Sequence, residues 1–170
     1  LGGPEAALAL ASKLTDPSPR GRMGLAAALG RMKERGTVPA LLSALDRERK
    51  EVQVLKAVCR ALGEIGDPKA VEPLARNIFS GDRREEEWQE GAKERIDAIG
   101  SIRHPAAVEE LIALLGKCGG VGRRGGGGGG YGQFHQIVQR TLRRLTGVDL
   151  RDQNEWRSWW KENKAGFRFP

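Results

Sequence analysis

The 170-residue chain is 39% hydrophobic and 30% charged, lean for a globular domain but too apolar for a disordered one. No apolar run approaches the length that a membrane-spanning helix needs, and two cysteines, Cys59 and Cys118, are too few for a disulfide framework or a zinc site. The net charge of +7 is carried wholly by residues 117–170, which hold 11 Lys/Arg against 4 Asp/Glu, whereas residues 1–116 hold 18 of each. A basic pole of this kind suits an acidic partner or nucleic acid, or serves only as a solvated surface.

The chain opens Leu1-Gly2-Gly3-Pro4 without an initiator Met, so sequence is expected to have been removed upstream. A first helix is predicted from about Pro4 to Leu14 and a second from Pro19 to Met32. Leu8 falls 33 residues before Leu41, in the register of the copies that follow. This first pair carries no evident cap, so apolar surface is expected at that end.

Self-similarity organises the rest. Ala28-Leu29-Gly30 recurs as Ala61-Leu62-Gly63 and as Ala98-Ile99-Gly100, at offsets of 33 and 37 residues. A Val stands eight residues after each Gly (Val38, Val71, Val108) and a Leu eleven after (Leu41, Leu74, Leu111). Periods in this range signal a solenoid of stacked helical pairs. The first helix of each pair starts on Pro, in Asp67-Pro68 and His104-Pro105, where the missing N–H costs nothing, and Asp67 is placed to cap it. Val71, Leu74, Ala75 and Ile78, then Val108, Leu111, Ile112 and Leu115, follow at helical spacing. The small Ala28, Ala61 and Ala98 allow close helix approach. Gly30, Gly63 and Gly100 are expected at or just before helix ends, where glycine turns out of the helix most easily.

The stretch Ala61-Leu62-Gly63-Glu64-Ile65-Gly66-Asp67-Pro68-Lys69-Ala70-Val71-Glu72-Pro73-Leu74 resembles a HEAT repeat, and more narrowly the short HEAT-like repeat of phycobilisome lyases. The resemblance covers residues 4–116 and implies an all-α fold, a right-handed α-solenoid of HEAT-like hairpins in an armadillo-like superhelix. Copy one departs from the pattern with Gly36-Thr37 in place of Asp-Pro, and copy three with Arg95 where copy two has Val58.

A glycine-rich stretch, 116–132, with six consecutive glycines from Gly125 to Gly130, interrupts the last repeat. It is expected to be a spacer loop that exposes Cys118, since no Lys follows the glycines to make a phosphate cradle. Helix resumes at about Phe134 to Leu145. Residues 1–147 are therefore expected to form about four helical pairs, and residues 148–170 a Trp-rich capping segment. Trp156, Trp159 or Trp160, Asn163 and Phe167 share one helix face, with Asp152 or Asn154 as the cap. This end is similar to the Leu-Thr-Gly…Trp-x-x-Trp-Trp tails that close some bacterial HEAT-repeat proteins. A Trp platform for stacked bases is the alternative.

Chemistry-bearing constellations are sparse. His104 and His135 belong to no His-Glu pair of the kind found in the di-iron HEAT-repeat hydroxylases. Cys59 sits on an apolar face as core packing. Glu85-Glu86-Glu87 suits the first turn of a helix. These observations predict no catalytic residue, no metal and no cofactor.

The expected function is a protein-interaction scaffold or adaptor without catalysis, part of a larger protein or complex. The alternative is a nucleic-acid-binding solenoid resembling the HEAT-like DNA glycosylases. Stepping back from Leu29, Leu62, Ile99 and Leu145 along the second helices gives a polar stripe of candidate contact residues: Arg20, Gln53, Lys56, Arg60, Glu90, Lys93, Asp97, Gln136, Gln139 and Arg143. Arg123, Arg124, Arg140 and Arg144 form the candidate basic pole. The favoured partner is a protein, with an acidic surface, ahead of nucleic acid. The sequence names no compartment.

Overall fold

The computed structural model describes residues 3–48, 50–80, 85–118 and 132–170. Among the described residues there are nine α-helices and no strand: α1 (Pro4–Ala11), α2 (Pro19–Met32), α3 (Val38–Arg47), α4 (Val52–Ile65), α5 (Val71–Ala75), α6 (Glu86–Ile99), α7 (Pro105–Cys118), α8 (Gly132–Thr146) and α9 (Gln153–Asn163). The fold is an all-helical α-solenoid. Each odd helix packs on the even helix that follows, and α2, α4, α6 and α8 pack side by side as the second layer.

The repeat signature is the seam of that layer. Leu29, Leu62 and Ile99 are fully buried, and Leu145 nearly so, as are Leu41, Leu74 and Leu111 from the facing helices. Burying a Leu or Ile side chain contributes about 1.5–3 kcal/mol, so the periodic positions supply most of the drive to stack. The glycines work differently from expectation. Gly30 and Gly63 lie inside α2 and α4 and are buried. A Cβ on Gly30 would stand 2.9 Å from the Cα of Ala61, and one on Gly63 would stand 3.3 Å from the Cα of Ala98. One on Gly100 would meet the Cγ2 of Thr141 at 2.1 Å. Each glycine thus admits the neighbouring repeat's backbone or side chain. The chain turns out of α4 one residue beyond Ile65, at Gly66 with φ 69°, and out of α2 at Lys33 with φ 54°.

Local caps follow the sequence closely. Asp67 accepts the Lys69 N–H at 2.9 Å, and Asp152 accepts the N–H groups of Asn154 and Glu155 at 2.7 and 3.0 Å. Helix α1 ends at Ala11 rather than Leu14, and at this pole Leu8 is the one large apolar side chain left 52% exposed among the described residues.

Arg95 replaces an apolar residue for a legible reason. Helix α5 has only five residues, and its carbonyls find no continuing helix. The Arg95 guanidinium donates to the carbonyls of Leu74, Pro73 and Arg76 at 2.8–3.0 Å. A second buried charge holds α2 to α3: the Arg22 guanidinium bonds Glu48 at 2.9–3.0 Å, with only 14% and 6% of these side chains exposed.

The C-terminal helix covers the array as its Trp spacing predicts. Trp156 is fully buried and Trp160 nearly so, while Trp159 is half-buried against the edge of Phe167. Asn163 departs from the expected stripe: it is exposed, and its side chain donates to the Trp159 carbonyl. Cys118 also departs from expectation. Helix α7 continues through Gly116 and Lys117 to Cys118, and burial against the core hides its thiol. The glycine run and Tyr131, with the spacer loop expected there, lie outside the described residues.

Candidate functional site

The even helices present the stripe of candidate contact residues as a set of cross-repeat pairs. Opposite charges on successive even helices lie side by side because these helices stack against each other. Lys56 Nζ meets Glu90 Oε2 at 3.0 Å, between α4 and α6. One turn on, Arg60 grips Glu94 with two bonds of 2.8 and 3.3 Å. Between α6 and α8, Arg144 reaches both the Asp97 carboxylate and the Asp97 carbonyl at 3.3 Å. Glu94 holds the Arg60 guanidinium above its ordinary pKa, by hydrogen bonding first and by charge second.

The pairs Arg60–Glu94 and Arg144–Asp97 border a shallow depression of about 220 Å³ that Glu64 and Ser101 also line. Gly63 forms part of its wall. Arg20, Gln53, Lys93 and Gln136 are exposed on the same helices. Gln139 donates to the Arg151 carbonyl and Arg143 pairs with Asp149, so both residues tie α8 to the segment that leads into α9.

Sequence reading missed Glu94 and Glu64. A partial signal was available: Lys56 and Glu90, like Arg60 and Glu94, are 34 residues apart, about one turn short of the 37-residue offset between these two copies.

The candidate basic pole does not come together as one patch among the described residues. Arg123 and Arg124 lie outside them. Arg140 is exposed on α8, while Arg143 and Arg144 are each paired with a carboxylate.

The donor set for a metal is thin. Among the described residues no three of His, Cys, Asp and Glu are grouped so as to hold a metal ion. His104 is occupied at the start of α7, where its Nδ1 accepts the Ala106 N–H at 3.2 Å, and His135 lies on α8. Burial pushes the Cys59 thiol up to about 12, which keeps it protonated and un-nucleophilic. Among the described residues no helix is long and apolar enough to cross a membrane.

Residues 7–89 match the family of HEAT repeats. Two curated relatives are similar to this chain. A deoxyhypusine hydroxylase of Gallus gallus is 38% identical over 76 residues, covering 45% of this chain and 25% of that protein. A deoxyhypusine hydroxylase of Bos taurus is 39% identical over 74 residues, covering 44% and 24%. The match spans about a quarter of the length of these relatives. Both are named as enzymes, and this corrects the expectation of a chain with no part in catalysis. Neither name nor source carries the narrower likeness to bacterial proteins and phycobilisome lyases.

Proposed function

We propose that this α-solenoid is the protein-recognition part of a protein related to the deoxyhypusine hydroxylases. In this reading the outer face of α2, α4, α6 and α8 engages the protein that is to be modified. The observation that carries it is the row of cross-repeat ion pairs beside an open depression. Lys56–Glu90, Arg60–Glu94 and Arg144–Asp97 set charges of both signs across successive even helices. A surface ordered in advance loses less side-chain entropy on binding, and fixed charges of both signs select register more than they add raw affinity.

The named activity of the relatives supplies the first partner to try, a protein that carries deoxyhypusine. The chain is immobilised, and binding is measured by interferometry for that protein and for the same protein with unmodified lysine. The expected result is binding that weakens about tenfold when exposed Lys93 and Gln136 are both replaced by Glu, since a few central residues dominate such interfaces. Failure of both protein forms to bind, or binding indifferent to these replacements, overturns the reading.

A further inference from the structure

Part of the positive charge of the C-terminal region stands on one face of α9 and just beyond its end. Arg157, Lys161 and Lys164 recur at helical spacing and share one face. The acids of the same helix, Glu155 and Glu162, fall on the opposite side, and Glu155 is engaged with the Arg151 N–H at 2.8 Å. Trp156 and Trp160 anchor α9 on the core, which presses the cationic face against α7.

Between the two helices runs a groove of about 360 Å³, lined by Glu109, Ile112 and Ala113 from α7 and by Arg157, Trp160, Lys161 and Lys164. Glu109 is its single acid. Lys164 pairs with it and holds its carboxyl below the ordinary range, burial opposes the shift, and the Trp160 N–H helps at 3.3 Å. Glu109 is thus ionised and consumed within the groove. Arg157 and Lys161 are exposed and have no acidic partner among the described residues.

We propose that this groove between α7 and α9 binds an extended acidic segment of a partner protein, with Arg157 and Lys161 taking alternate carboxylates. The spacing supports it. Residues four apart on a helix face stand about 6 Å apart, and side chains two apart on an extended segment stand about 6.8 Å apart on one side. The residues between the acids point to the other side of such a segment, away from Arg157 and Lys161. A single-stranded nucleic acid suits it less. The Trp160 ring is 5% exposed and packed against Phe167, so it offers no face to a base. This inference is independent of the even-helix face, which lies on other helices.

The test uses the whole chain and a fluorescent short peptide of alternating Glu and Leu, followed by anisotropy at low and physiological salt. Saturable binding that weakens as salt rises is expected, because exposed charges are screened beyond about 8 Å at physiological ionic strength. The double variant Arg157→Glu, Lys161→Glu should lose about tenfold or more in affinity, whereas Lys93→Glu on the even-helix face should change it less than about twofold. Glu109→Gln keeps an acceptor for the Trp160 N–H while freeing Lys164, and should tighten binding about threefold. Circular dichroism melting shows that each variant is folded. Absence of peptide binding at low salt overturns the proposal. So does equal loss in the Lys93 variant, or displacement of the peptide by single-stranded RNA or duplex DNA at lower concentration than by unlabelled peptide.

Discussion

Replacing Gly30 by Ala places two effects of opposite sign on one helix. In the interior of α2, Gly to Ala favours the helix by about 1 kcal/mol, because alanine loses less backbone freedom on folding. Against this, the new methyl carbon would stand 2.9 Å from the Cα of Ala61, where ordinary contact begins near 3.4 Å. The Glu64 carboxylate, also close, swings aside at little cost, but a backbone carbon moves only with its helix. Helix α4 must then retreat by about half an ångström along the most extensive helix–helix packing in the fold. Overpacking of this kind costs about 1–3 kcal/mol, so Gly30→Ala should destabilise by up to about 2 kcal/mol net. Gly24 is the internal control: it lies in the same helix, and nothing stands within 4 Å of where its Cβ would be. Gly24→Ala should stabilise by up to about 1 kcal/mol. Thermal melting at this chain length shifts about 2–4 °C per kcal/mol, and urea unfolding checks the same difference. If Gly30→Ala is as stable as Gly24→Ala, the glycine signature is not a close-approach device and this account of the seam is wrong.

The tail and the thiols give two further expectations. Trp156→Ala should cost about 3–5 kcal/mol by urea unfolding, because the ring is fully buried. Trp156→Phe should cost only about 1.5 kcal/mol or less, since the ring survives and a buried indole N–H that has no acceptor among the described residues is removed. Cys59 and Cys118 are both pushed up to about 12 by burial, so neither should react with a maleimide at neutral pH until denaturant is added. The sign of the linkage is fixed: a thiol raised in the fold favours the folded state below its unfolded pKa. That advantage fades as alkali ionises the unfolded chain first.

Much of the fold was legible because it is periodic. The recurrences of Ala-Leu-Gly, the Pro-started helices and the Trp spacing each encode one local rule, and each lies within a few residues of the element that it specifies. The glycines were seen but misread, since close approach between repeats involves residues 31–41 positions apart in Gly30–Ala61, Gly63–Ala98 and Gly100–Thr141. Arg95 was seen as a departure, but its purpose depends on α5 ending early, which no residue near Arg95 announces. The cross-repeat pairs were half legible: Lys56 and Glu90 both stood in the stripe, yet as solvent-facing contacts rather than as each other's partners. The groove on α9 escaped because the net charge of the region was assigned to its arginine clusters. Only folding shows that Arg143 and Arg144 are neutralised while Arg157 and Lys161 are not.

The second layer is not equally coupled along its length. Helix α2 lies against α4 most extensively, α4 against α6 less so, and α6 against α8 least. In a quasi-one-dimensional array each junction acts as a spring in series, and the softest spring takes most of any strain. Among the described residues the α6–α8 seam is the least extensive of the three, so bending is expected there first, with α7, α8 and α9 moving together. Asp97 and Arg144 bridge that seam with an exposed pair, a weak and salt-sensitive tie across the joint. A ligand lying across it would stiffen the rod, and ionic strength would set how far it flexes when bare.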